Sequence, residues 1–78
     1  HARLFVNLGR RDGMKADALR EALAELGGIL PEDIAHVELR SRHALVSVHD
    51  DFAEDLIEAV NGETLGRRTV RIEFAEAD

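Results

Sequence analysis

The 78-residue sequence predicts an α+β two-layer sandwich. Four strands and two helices follow in the order βαββαβ, a split βαβ pair with antiparallel sheet order 4-1-3-2 and both helices on one face. Three observations carry this. Apolar residues alternate with polar ones in four short runs. Two intervening segments carry apolar residues at helical spacing. Turn residues, Gly27-Gly28, Ser41-Arg42 and Asn61-Gly62, sit between the segments. A chain this short supports one domain with a single core, because it buries only about 60–65% of its unfolded surface.

Each element has its own signal. The first strand is Arg3–Leu8, with Leu4, Val6 and Leu8 turned inward against Arg3, Phe5 and Asn7. Gly9 to Gly13 is a charged turn. A helix over Ala16–Leu26 places Leu19, Ala22, Leu23 and Leu26 on one face, and Gly27-Gly28 supplies a left-handed stop. After a turn at Pro31, the second strand runs Ala35–Arg40 with Val37 and Leu39 inward. A tight turn at Ser41-Arg42 leads into the third, His43–Val48, with Ala44, Val46 and Val48 inward. That turn pairs Leu39 with Ala44 and Val37 with Val46, so register and alternation agree. Ser-Arg nevertheless lacks the Gly or Asn that two-residue hairpins favour. Asp50 is expected to cap a second helix whose inner face is Phe52, Leu56, Ala59 and Val60. Asn61-Gly62 ends it, and the fourth strand, Thr69–Phe74, turns Val70, Ile72 and Phe74 inward. The domain is expected to fill 1–78, with His1 an extraneous leftover residue.

The topology turns a negative total into a polar molecule. Ten Lys and Arg against sixteen Asp and Glu give −6, which excludes a uniformly basic coat. Three segments nonetheless meet at one end: the turn after strand 1, the tip between strands 2 and 3, and the lead-in to strand 4. They hold Arg10, Arg11, Lys15, Arg40, Arg42, Arg67 and Arg68, seven of the ten basic residues. Set against Asp12, Asp17 and Glu63, that end carries +4 and the remainder −10. The helix 1 N-terminus adds partial positive charge. Arginines do collect in loops for solubility alone, but a basic edge of this kind suits phosphates.

The open sheet face is a second candidate surface, displaying Arg3, Phe5, Asn7, His36, Glu38, Arg40, His43, Leu45, Ser47, Thr69, Arg71 and Glu73. Phe5 and His43 are the rings available for base stacking, a reduced platform.

Several chemistries are excluded or unsupported. Without cysteine there is no disulfide scaffold, thiolate metal site or cysteine nucleophile. Gly9-Arg-Arg-Asp-Gly13 lacks the Gly-Lys-Ser/Thr ending of a nucleotide loop. His36 and His43 lie about 13 Å apart in the expected register, too far to share a metal. Asp17, Glu21 and Glu25, like Glu54, Asp55 and Glu58, form carboxylate ridges without a convergent pocket. No cofactor, metal or catalytic residue is expected in this chain, and no run reaches the ~18–20 apolar residues of a membrane span.

Two segments resemble a known family. Asn61-Gly62-Glu-Thr-Leu-Gly66-Arg67-Arg68-Thr-Val70-Arg71-Ile72 resembles the closing segment of RNA-recognition motifs (RRMs). Arg3-Leu-Phe-Val-Asn-Leu-Gly9-Arg10-Arg11-Asp12-Gly13-Met14 is similar to the opening of the C-terminal RNA-binding domain of bacterial DbpA-type DEAD-box RNA helicases, which typically reads Arg-Leu-Phe-Ile-Asn-Val-Gly-Arg-Lys-Asp-Gly-Val. The resemblance implies a ferredoxin-like, RRM-like fold. It further implies an auxiliary domain that tethers a helicase core, in cis and outside this chain, to structured RNA. In the best-known relatives that RNA is a hairpin of large-subunit ribosomal RNA, and ATP and Mg act in the core during ribosome assembly. Carried over by matching position, the implied RNA contacts are Phe5, Asn7, Arg10, Arg11, Lys15, Arg67 and Arg68. Charge placement at the basic edge adds Arg40 and Arg42, and position on the open sheet face adds His43 and Arg71. The chain departs from the family at Glu21 and Glu25, where Gly and Asn are common, and in its acidic end Glu73-Phe-Ala-Glu-Ala-Asp78. The RNA is therefore either that hairpin or another structured RNA. A cytoplasmic setting is expected, without membrane or DNA partners. The competing reading is a protein-interaction module of the same fold that docks a basic protein on its acidic helices.

Overall fold

Hydrophobic alternation sets the sheet and helical periodicity covers one side of it. The computed structural model describes residues 1–75. Its elements are β1 (Ala2–Val6), a 3-10 turn at Arg10–Asp12, α1 (Ala16–Gly27), a 3-10 turn at Pro31–Asp33, β2 (Ile34–Leu39) and β3 (Ala44–Val48). They continue with α2 (Asp50–Val60), β4 (Thr64–Leu65), β5 (Arg68–Thr69) and β6 (Ile72–Phe74). The acidic end beyond Ala75 lies outside the described residues.

The main sheet is antiparallel in the order β2-β3-β1-β6. This is the expected 4-1-3-2 arrangement, with β6 as its fourth strand. Leu4, Val6 and Leu8, with Ala44, Val46, Val48, Val70 and Ile72, form the sheet side of the core. They meet Leu19, Leu23 and Ala24 of α1 and Ala53, Leu56 and Val60 of α2. Burying each Leu or Val side chain is worth about 1.5–3 kcal/mol, so this layer contact, rather than helix propensity, holds the helices in place.

The structure corrects the sequence reading at five points. First, β2 begins at Ile34, and its register slips between Ile34 and His36. The extra residue, Ala35, lets Ile34 and Val37 both face inward, which strict alternation forbids. Second, His49 rather than Asp50 caps α2: its Nδ1 accepts from the Asp51 N–H at 3.1 Å. Asp50 and Asp51 instead occupy the first turn, where carboxylates suit the helix dipole. Third, the fully buried face of α2 is Ala53, Leu56 and Val60, with Ala59 packed partly buried against the core, whereas Phe52 sits half-buried at its margin against the His49 ring. Fourth, the expected fourth strand is divided. Thr64–Leu65 and Arg68–Thr69 pair as a separate ribbon, turned by Gly66 at φ 62, a conformation that favours glycine. Fifth, Phe74 is 51% exposed although it shares the helix-side face with Leu4. It sits on the edge strand, where α2 does not cover it.

Candidate nucleic-acid interface

The site begins with a glycine. Gly9 is buried against the β2–β3 tip, where an added Cβ would lie 2.5 Å from the Arg40 carbonyl, 2.6 Å from the His43 nitrogen and 2.6 Å from the Ser41 carbonyl. The two backbones approach this closely because Gly9 carries no Cβ. It aligns the Arg10 N–H to donate to the Arg40 carbonyl and the Arg11 N–H to donate to the Ser41 carbonyl, each at 2.8 Å. The tip itself is the expected two-residue turn, closed by the Arg40 N–H donating to the His43 carbonyl at 2.8 Å. It has no left-handed residue. Its outward carbonyls find donors in the neighbouring loop, which supports a Ser-Arg turn that propensity alone disfavours. Two basic loops thus become one unit.

The third loop is fastened by Asp12. One carboxylate oxygen accepts from the Gly9 N–H at 3.0 Å, and the other accepts from Arg68 at 2.7 Å. The Gly9 N–H, more than the Arg68 and Arg11 charges, holds the Asp12 carboxyl below the usual carboxylate range, against the opposing effect of desolvation. Arg68 also reaches the Asn7 carbonyl at 3.4 Å. A cleft of about 580 Å³ results, lined by Arg11, Arg42, Arg68 and Asp12, one residue or more from each loop. Three guanidinium groups against one carboxylate leave it cationic. Behind it, Leu8, Met14 and Leu65 give an apolar floor to a second recess of about 430 Å³ shared by Arg11, Arg67 and Arg68.

The other candidates divide. Asn7 is committed to its own backbone: its side-chain oxygen accepts from the Arg71 N–H at 2.8 Å and its amide donates to the Thr69 carbonyl at 3.1 Å. It registers the segment between β5 and β6, and so positions Arg68 and Arg71. Arg71 is exposed, and its register opposite Asn7 puts it on the open face. Lys15 is exposed at the start of α1, beside the loop rather than in the cleft. Arg40 is drawn to Glu38 at 3.1 Å, and Arg3 reaches the same carboxylate at 3.5 Å. On the open face Phe5 and His43 stack on each other, centroids 5.2 Å apart at 22°. They form one continuous aromatic patch rather than two separate platforms. No cluster of metal-ligating side chains occurs among the described residues.

Asp12 and Gly9 were legible only as turn residues. The signal for Asp12 is its spacing: a carboxylate three residues after Gly9 can return to that N–H, as Asp33 does to the Leu30 N–H at 3.0 Å.

A split βαβ sandwich with a cationic cleft at one edge and an aromatic pair on its open face is a nucleic-acid-binding module of the RRM-like class. The chain belongs to the DbpA RNA binding domain family, whose model matches residues 3–74. It is therefore an RNA-binding domain, of the type found C-terminally in DEAD-box helicases. No curated protein matches the chain.

Proposed function

We propose that this domain anchors a DEAD-box ATP-dependent RNA helicase to structured RNA, with large-subunit ribosomal RNA during ribosome assembly as the expected target in the cytoplasm. The ATP-driven step belongs to a core in cis outside these residues, which bind and orient RNA and carry no catalytic group. One observation supports the mode of binding: Arg11, Arg42 and Arg68 reach a single cleft from three separate loops locked together by backbone hydrogen bonds and Asp12. Such a preorganised trio fits backbone phosphates at a bend or loop, where their spacing differs from regular duplex. The recess floored by Leu8, Met14 and Leu65 can take an unstacked base beside them. Phe5 and His43 add a stacking surface on the sheet.

The test is hairpin RNA binding by fluorescence anisotropy across a salt series. Arg42→Glu should weaken binding at every salt concentration and lower the log–log salt slope by about 1. An unchanged affinity and slope would refute this placement of the RNA.

A further inference from the structure

The far side of β6 has chemistry opposite to the RNA edge. Phe74, half exposed, and Ile57 of α2 form the floor of an open groove of about 280 Å³, rimmed by Glu54, Glu58 and Glu73. All three carboxylates are exposed and none has a cationic partner among the described residues. Phe74 is one of two large apolar side chains left exposed among the described residues, the other being Leu30 beside the Pro31 turn, and it lies on an edge strand only three residues long. An apolar floor inside a ring of unpaired negative charge repels phosphate. It is complementary to a cationic polypeptide carrying an apolar anchor.

We infer that this groove is a second, protein-directed docking site, for a basic peptide segment that inserts an aliphatic or aromatic side chain between Phe74 and Ile57. Glu54 and Glu58 lie one turn apart on α2, with Glu73 across the groove, so a short segment can present Lys or Arg to both walls while its anchor enters the floor. The sequence continues past Ala75 with Glu76-Ala77-Asp78, whose two carboxylates make it a poor occupant. A basic protein in this groove would then sit away from the arginine cleft, with Glu73 and Phe74 separating it from the Phe5 surface of the sheet.

The test uses a synthetic peptide, acetyl-Lys-Arg-Leu-Lys-Lys-Leu-Arg-Lys-amide, and a control in which both leucines are serine. Amide shifts should gather at Glu54, Ile57, Glu58, Glu73 and Phe74 with the leucine peptide. The serine control should bind about tenfold or more weakly, as should the Phe74→Ser and Glu54→Lys/Glu58→Lys variants. Hairpin RNA affinity of Phe74→Ser should be unchanged, which shows that the variant is folded and keeps this outcome separate from the RNA reading. Equal binding of both peptides, or shifts spread over Asp17, Glu21 and Glu25, would reduce the effect to general charge attraction and overturn the proposal. So would no binding at all. Concentration-dependent shifts of the same amides without peptide would assign the groove to a second copy and overturn it as well.

Discussion

Substituting Gly9 with alanine tests how the interface is built. Its backbone is extended, at φ −144 and ψ −167, so alanine is conformationally permitted and the effect is steric. The new Cβ would stand 2.5 Å from the Arg40 carbonyl, and ordinary contact begins at 3.4 Å, so the loop must retreat by about 0.9 Å. That retreat stretches the two 2.8 Å bonds from Arg10 and Arg11 to about 3.7 Å, beyond hydrogen-bonding reach. Each is worth about 1 kcal/mol net, and the stranded tip carbonyls are near enough to solvent to recover water. The expected loss is therefore about 2 kcal/mol, a fall in Tm of about 8–16 °C for a domain of this size. Thermal unfolding by circular dichroism measures it. RNA affinity, taken well below the new Tm, should fall too, because the arginines of the two loops lose their common frame. Ser41→Ala, which removes only an exposed hydroxyl, should change neither. A Gly9→Ala variant within about 0.5 kcal/mol of the parent would refute the reasoning.

Three further outcomes follow from the same contacts. Asn7→Ala should cost about 1–3 kcal/mol in denaturant unfolding, since it leaves the Arg71 N–H and Thr69 carbonyl without their partner. An unchanged midpoint would mean that the carboxamide does not hold this segment. Asp12, with its folded pKa below the ordinary 3.8, contributes stability that is present above that value and is lost as pH falls through the lowered one. In an acid titration, the Arg68 and Gly9 resonances should therefore move only below about pH 4; a transition above pH 5 would contradict this. Phe5→Ala should weaken RNA binding by about 1–3 kcal/mol if a base stacks on the Phe5–His43 patch. An unchanged affinity would confine RNA to the basic edge.

The sheet was legible because its inward residues alternate without interruption in β1 and β3, and because one hairpin register satisfied two patterns at once. Val37 faces Val46 and Leu39 faces Ala44, as the alternation requires. The Ala35 bulge was not legible: Ile34 looks like a loop residue until its partner Val48 is known. Phe74 follows the inward parity, yet its exposure depends on where α2 ends sideways, and period-2 alternation carries no such information. His49 as a helix cap competes with a stronger cap-former beside it, and the choice rests on the chain's exit from β3. Of the site, the meeting of three basic segments could be drawn from topology alone. The fastening could not, because Asp12 looks like an ordinary turn residue and Asn7 like an exposed strand residue free to meet RNA. Their roles depend on Arg68, Thr69 and Arg71, more than fifty positions later, folding back as a ribbon that the strand pattern hid.

In the proposed function, RNA is held at the edge where the loop after β1, the β2–β3 tip and the β4–β5 ribbon converge. A backbone-amide NMR titration with a structured RNA hairpin, at low and moderate salt, addresses it most directly. Shifts should concentrate on Arg10, Arg11, Asp12, Lys15, Arg40 to His43 and Gly66 to Arg68, weakening as salt rises. A folded domain whose shifts fall instead on Glu54, Glu58 and Phe74, or which shows none, would contradict it.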